Sequence, residues 1–310
     1  MAELKNTVIN DIEFLDLPTG TTNQRPGTAE QGMIRFNTTE GYVEGFDGSE
    51  WVPLFVRLKA TGGTVTDITQ DGQLFRVHTF TSDGTFEVTR GGEVEYLVVG
   101  GGGGGGGASG SGGSGGGGGG VVKGLEAVSV GSFNVSVGFG GPRGDGTGNI
   151  GFNGGDSEFL GFVALGGGGG EGGGTPPGKD GGSGGGSRSS GDESTGLQPG
   201  TNPGAVLDAG NDGGAGPGSG GGGGGAGGPG GSGNGTGGPG LLIEFDGNAR
   251  FFGSGGNGQF ATETSGGQTT DQQEVIPNTG SGGAGTFSDT RVGNVGTGAS
   301  GIVIVRYRIG

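Results

Sequence analysis

Short runs of alternating apolar and polar residues open the chain. They are Val8 to Leu17, Met33-Ile34-Arg35-Phe36-Asn37, Tyr42-Val43-Glu44-Gly45-Phe46 and Glu50-Trp51-Val52-Pro53-Leu54. Period-two alternation of this kind predicts half-buried strands. Turn chemistry separates them: Pro18-Thr19-Gly20, Arg25-Pro26-Gly27, Thr38-Thr39-Glu40-Gly41 and Asp47-Gly48. Asp-Gly between apolar runs is a hairpin signal. Residues 1–59 therefore read as a small β-meander. Modules below about 40–60 residues bury little area alone. A partner is expected, either a second copy of the chain or a larger assembly. The side chains expected at that attachment or oligomerisation surface are Met33, Ile34, Phe36, Tyr42, Phe46 and Trp51.

Residues 60–73 read as a polar linker. Three further strands are predicted at 74–80, at Thr85 to Arg90 and at Val94-Glu95-Tyr96-Leu97-Val98-Val99. Glycine then takes over. It fills 100–107, 115–120, 166–170 and 220–225 without interruption. Between the runs lie β-like segments: Leu125 to Val130, Phe133 to Val137, Glu158 to Leu165, Leu241 to Phe245 and Ala249 to Phe252. Ile302-Val303-Ile304-Val305-Arg306-Tyr307-Arg308-Ile309 closes the chain as its strongest strand signal. Helical periodicity is absent, so the predicted class is all-β with negligible α-helix, and 74–310 forms one glycine-rich domain.

Composition changes what that domain can use as a core. Glycine supplies 95 of 310 residues, and Leu, Ile, Val and Phe together only 64. That apolar share sits near the roughly 20% below which chains tend to be disordered. Collagen is excluded, because the glycines come in runs and proline is only 12 of 310. The stretch 171–240 decides between two readings. It holds 33 glycines, with Leu197, Val206 and Leu207 as its only large apolar residues. Disorder is one reading, since glycine loses the most entropy on folding. Polyglycine II is the other: a three-residue turn rising about 3.1 Å per residue, with peptide groups pointing outwards all round. Neighbouring helices then satisfy one another's backbone groups. The even alternation of glycine runs with β-like segments favours a polyglycine II lattice bordered by strands, with prolines on its edge.

Charge and chemistry narrow the function. The net charge is −16, which disfavours phosphate backbones, so no nucleic acid is expected as a partner. Cysteine is absent, which removes disulfides and thiolate metal sites and fits assembly in a reducing cytoplasm. No apolar stretch approaches the length of a transmembrane helix or a signal peptide, so no membrane insertion is expected. The single histidine, His78, lies on a predicted strand, where a lone imidazole is most often structural, since base catalysis needs positioned partners. Gly173 to Lys179 approaches a phosphate-binding loop, but Asp180 stands where Ser or Thr would hold magnesium, and no helix follows. Arg143-Gly144-Asp145 spells an adhesion tripeptide that coincidence in a turn explains. Asp145 and Asn149 lack the ligand spacing of a calcium loop. No enzyme activity and no cofactor are expected.

Two border motifs carry a resemblance. Val94-Glu95-Tyr96-Leu97-Val98-Val99 running into polyglycine, and Ser300-Gly301-Ile302-Val303-Ile304-Val305-Arg306-Tyr307, resemble the ends of a glycine-rich domain. That domain occurs in tail fibres and other surface proteins of tailed phages, marine and cyanobacterial ones especially, and in some bacterial surface proteins. The resemblance covers about 76–310. Thr21 to Pro26, Gly32 to Thr38 and Gly45 to Trp51 are similar to a short module of phage structural proteins. The resemblance implies a virion fibre or tip protein, usually a homotrimer, assembled in the host cytoplasm. Its N-terminal module would join other tail or fibre proteins, and its loops would meet a glycan on the host cell surface. The loops that interrupt the glycine pattern supply the receptor candidates: Arg188, Asp192, Leu197, Gln198 and Asn202, then Phe260, Thr262, Gln268 and Gln272. A purely structural virion appendage, with no receptor of its own, is the alternative. Strands 94–99 and 301–308 are expected to pair.

Overall fold

The computed structural model describes residues 16–54, 57–107, 112–145, 148–173, 177–189, 193–216, 218, 220–233, 235–258, 275–285 and 296–309. The chain divides into two compact units, Met1–Arg57 and Leu58–Gly310. The fold is all-β. Among the described residues the one helical segment is a 3-10 turn at Thr22–Gln24.

The first unit is a four-stranded sheet in chain order: β1 (Thr19–Gly20), β2 (Ile34–Asn37), β3 (Tyr42–Phe46) and β4 (Trp51–Pro53). Asp47 stabilises the β3–β4 turn, its carboxylate accepting from the N–H groups of Ser49 and Glu50. Alternation along β2 runs against the usual sense. Arg35 and Asn37 are buried, whereas Ile34 and Phe36 are exposed. The buried face is a polar network around Glu44, described below.

The second unit holds the remaining strands: β5 (Lys59–Thr61), β6 (Thr64–Gln70), β7 (Gln73–Phe80), β8 (Gly84–Arg90), β9 (Gly92–Val99), β10 (Val121–Val128), β11 (Gly131–Ser136), β12 (Ser157–Phe159), β13 (Phe162–Ala164), β14 (Leu207–Ala209), β15 (Leu241–Glu244), β16 (Ala249–Phe252) and β17 (Ile302–Arg308). A six-stranded sheet runs β14-β10-β9-β17-β7-β6, and a five-stranded sheet runs β13-β12-β11-β8-β5. The hairpin β15–β16 stands apart from both. β17 lies between β9 and β7, antiparallel to each, so the two border segments pair as expected.

Both faces of the central strands β9 and β17 are buried along most of their length, which explains their continuous apolar runs. Tyr96, Val98, Val303, Val305 and Tyr307 pack against Phe86 and Phe159 of the five-stranded sheet. Leu97, Val99, Ile302 and Ile304 face Phe245 and Phe252 on the other side. Arg306 fastens these layers. Its guanidinium lies 4.6 Å from the Phe75 ring and 4.3 Å from the Phe245 ring, and donates to Glu95 at 2.7 Å.

Residues 60–73 are a correction to the expected linker. β5 and β6 occupy most of them, and β6 pairs with β7 along its whole length. Thr64, Val65, Thr66 and Ile68 are β-branched, and Asp71-Gly72 is a tight turn with both φ angles positive. The strand looks polar because it is the exposed edge of the sheet.

The glycine region is ordered by backbone hydrogen bonds with a period of three. In the run 100–107, the N–H groups of Gly100, Gly103 and Gly106 donate to Gly120, Gly117 and Ser114. Those of Gly101, Gly104 and Gly107 donate to Gly155, Phe152 and Asn149. Those of Gly102 and Gly105 donate to Ala299 and Gly296. The carbonyls accept from three further passages: Gly101 and Gly104 from Gly167 and Gly170, Gly102 and Gly105 from Gly141 and Gly144, and Gly103 from Gly283. The run 114–120 repeats the arrangement with donors to 165–171, 221–224 and 280–283. Each central passage thus has neighbours on every side. A Cβ on Gly103, Gly104 or Gly105 would fall inside 3.0 Å of the carbonyl oxygens of Gly168, Pro142 and Ala284 respectively. No side chain fits at these close approaches. Pro142, Pro229 and Pro239 are exposed, in keeping with an edge position.

Candidate functional site

Backbone hydrogen bonds link several passages of the glycine region at one end. Gly106 N–H donates to Ser114, Gly173 to Gly107, Gly186 to Gly115, Gly115 to Gly221, Gly233 to Ala215 and Gly105 to Gly296. These bonds bring together described residues that flank 108–111, 146–147, 174–176, 190–192, 217, 219, 234 and 286–295 in the chain. These flanking residues lie remote from the sandwich, because β9 and β10 enter the lattice at its opposite end. The sequence shows the glycine runs but not which passages become neighbours.

The receptor candidates separate on this frame. Arg188 is half-buried at the remote end, where its main-chain N–H donates to Glu171 at 2.6 Å. Leu197, Gln198 and Asn202 lie at the sandwich end instead. Leu197 is 47% exposed. Gln198 is wholly buried, and Asn202 nearly so, which corrects their expected role as receptor contacts. Their amides serve the edge strand β13 and the residue after it, on the side away from β12, where no further strand pairs among the described residues. Gln198 Oε1 accepts from Leu165 N–H at 2.6 Å and its Nε2 donates to the Val163 carbonyl at 3.0 Å. Asn202 Oδ1 accepts from Val163 N–H at 2.8 Å. Side-chain amides here satisfy backbone groups that a further strand would otherwise meet. Asp208 anchors the pair; burial opposes its charge, but hydrogen bonds from Asn202 and Gln198 hold its carboxyl below the usual range. Asp192, Phe260, Thr262, Gln268 and Gln272 lie outside the described residues.

The other sequence candidates have local roles. His78 is buried, with Nδ1 2.7 Å from the Gly62 carbonyl oxygen and its ring stacked on Tyr307. Burial lowers its pKa, so the neutral imidazole packs as a flat ring between Tyr307 and Phe86. Tyr96 is buried against Phe159 and Phe162, and burial pushes its phenol up to about 12. Asn149 donates its side-chain amide to the Asp145 carbonyl, and Arg143 pairs with Asp145 at 3.8 Å. Lys179 sits 5.0 Å above the Phe152 ring. Among the described residues no three His, Asp or Glu side chains converge as metal ligands.

The first unit contains a cleft of about 380 Å³. Pro18, Thr19, Gln24, Pro26, Met33, Ile34, Arg35 and Trp51 line it. Three of the six attachment candidates, Met33, Ile34 and Trp51, thus share one concave surface. Phe36 is exposed, while Tyr42 and Phe46 are half-buried, Phe46 against Trp51. Sequence reading missed Arg35, because a charge between two apolar residues looks solvent-facing. It faces Glu44 instead. Glu44 is fully buried and accepts from Arg25 at 2.6 Å and Asn37 at 3.0 Å, with Arg35 at 3.6 Å. The Arg25 hydrogen bonds, more than any other contact, hold its carboxyl below the usual range.

The glycine-lined lattice and its two border strands match a known pattern: a family profile described as a glycine-rich domain covers residues 79–308. The chain belongs to the glycine-rich domain family. Comparison with curated proteins finds no match. The glycine-rich domain begins within β7 and ends with the last residue of β17, so the matched span closes on the central strands of the larger sheet.

Proposed function

We propose that the protein is a non-enzymatic virion component, a phage tail fibre or adhesin that presents loops to a glycan on the host cell surface. The observation that carries this reading is that described residues from many passages, among them Gly107, Gly173, Gly186, Gly221 and Gly296, meet at one end of a hydrogen-bonded backbone lattice. Binding residues sit characteristically on loops held by a rigid scaffold. The glycine core is read as polyglycine II, because its hydrogen bonds recur every third residue. The first unit, with its exposed Ile34 and Phe36, is the attachment and oligomerisation module of a homotrimer. Assembly takes place in the host cytoplasm.

Gold-labelled antibody on intact virions tests the location. Labelling at the tail tip, with adsorption blocked by the purified protein, is the expected result. Labelling elsewhere with adsorption unaffected favours the second reading, a structural appendage without a receptor. The burial of Gln198 and Asn202 lends that alternative its specific support, since it removes two polar side chains from the pool of receptor contacts.

A further inference from the structure

One outer passage of the glycine lattice has an open edge. In residues 138–145, Gly141 and Gly144 donate to the central run, and the carbonyls of Gly138, Phe139, Gly141 and Pro142 accept from Gly301, Gly155, Gly298 and Phe152. Among the described residues, the Phe139 N–H and both backbone groups of Gly140 have no partner. Exposure along the passage has a period of three. Phe139, Pro142 and Asp145 face solvent, while Gly138, Gly141 and Gly144 are buried. Phe139 is 65% exposed, and Phe152, whose N–H meets the Pro142 carbonyl, is 56% exposed. A Cβ on Gly155 would strike the Phe139 ring, so the ring rests against bare backbone. Other margins of the lattice are closed by side chains. Asn153 and Asp156 accept from the N–H groups of Gly169 and Gly166, and Asp180 and Asp212 from those of Thr195 and Gly196. These groups stand in for a missing backbone neighbour. Beside Phe139 and Gly140 the exposed side chains are apolar instead, and unpaired backbone next to apolar surface is a template for another chain.

We propose that this edge binds a proline-rich segment of a partner protein in the polyproline II conformation. A further glycine passage does not fit, because the Phe139 and Pro142 side chains hold a bare backbone at a distance. A proline segment fits in three respects. Its three-residue turn advances about 9 Å, the same step that separates Phe139 from Pro142 on the polyglycine II reading. Its rings pack on exposed aromatic faces, the usual mode for such segments. Its carbonyls accept hydrogen bonds while its prolines bring no N–H, and the unpaired groups at Phe139 and Gly140 are two donors to one acceptor. The charges nearby are engaged, Arg143 with Asp145 at 3.8 Å and Lys179 over the Phe152 ring at 5.0 Å, which suits an uncharged ligand.

Amide NMR of the full-length protein, labelled with nitrogen-15 at phenylalanine, tests this. The chain has 17 phenylalanines, and the Phe139 and Phe152 peaks are assigned by their loss in Phe139→Ala and Phe152→Ala. The probe is acetyl-hexaproline amide, with a Gly-Ser hexapeptide and maltohexaose as comparators. Hexaproline is expected to shift the Phe139 amide saturably, and the comparators to leave it in place. Phe139→Ala, read at the Phe152 amide, is expected to weaken binding about fivefold or more. Phe139→Tyr, which keeps the ring, is expected to bind like the parent. Both aromatic positions are exposed, so these variants remove no core packing. No saturable shift with hexaproline, or an equal response to the Gly-Ser peptide, overturns the proposal. Saturation by maltohexaose in place of hexaproline assigns the edge to a sugar and overturns it too. The spacing rests on the polyglycine II reading, which amide exchange tests separately; slow exchange without a hexaproline response sinks the docking edge alone.

Discussion

The sandwich and the glycine lattice of the second unit are two solutions to one problem. In the sandwich, Phe86, Phe159 and Tyr96 fill the space between sheets, and their area removed from water stabilises the fold. In the lattice almost no side chain is available, and neighbouring passages approach until N–H meets C=O directly. The first core depends on the side chains present, the second on their absence. A sandwich is damaged by removing atoms and a lattice by adding them. Backbone bonds contribute little net stability singly, about 0.5–1.5 kcal/mol each, so the lattice works only through their number and mutual support.

Amide hydrogen exchange gives the widest contrast between this account and a disordered glycine region. The amides of 100–107 and 114–120 are expected to exchange as slowly as those of β9 and β17, many orders of magnitude below free glycine peptide rates. Fast exchange there would dissolve the comparison altogether. Deletion and addition come next. Phe86→Ala should cost about 4 kcal/mol in denaturant unfolding, the usual scale for emptying an aromatic site. Gly104→Ala, which removes nothing, should cost about 3 kcal/mol, because its Cβ meets the Pro142 carbonyl. Gly27→Ala, with nothing within 4 Å, should leave stability within about 0.5 kcal/mol of the parent. A tolerated Gly104→Ala would mean that the passages can part without penalty.

The smallest effect separates the cores by pH. Burial lowers the pKa of His78 in the sandwich. Its neutral form is therefore favoured by folding. The contribution is complete above the unfolded value of about 6.5 and is lost progressively as pH falls below it, because the unfolded chain takes up the proton first. Thermal unfolding of the parent should shift downwards between pH 7 and pH 5, and His78→Phe should flatten that part of the slope. The Gly104→Ala penalty should be the same at both pH values, since the lattice amides around that position carry no titratable group. A penalty that changes with pH would show that the two cores are coupled through charge.

Several elements were legible from residue pattern alone. β9 and β17 announce themselves by continuous apolar runs, and Asp47-Gly48 marks its hairpin. β6 was not legible as a strand, because an edge exposed to water tolerates Thr, Asp and Gln where a central strand does not. Gln198 and Asn202 read as solvent-facing recognition groups, since polar amides in a loop usually are. Their actual partners, Val163 and Leu165, lie more than thirty residues earlier in the chain. Arg35 escaped notice for a related reason: its acceptor, Glu44, is brought opposite only by the β2–β3 register.

The sequence by itself determined the central strands, the turns and the places where no side chain is tolerated. Each depends on local sterics, on period-two burial or on the missing Cβ of glycine. Tertiary structure alone decided which glycine passage meets which and why β17 enters between β9 and β7. One glycine run is chemically the same as another. Only the strands that fence them, docking in a single order, set the register in which backbone donors find their acceptors.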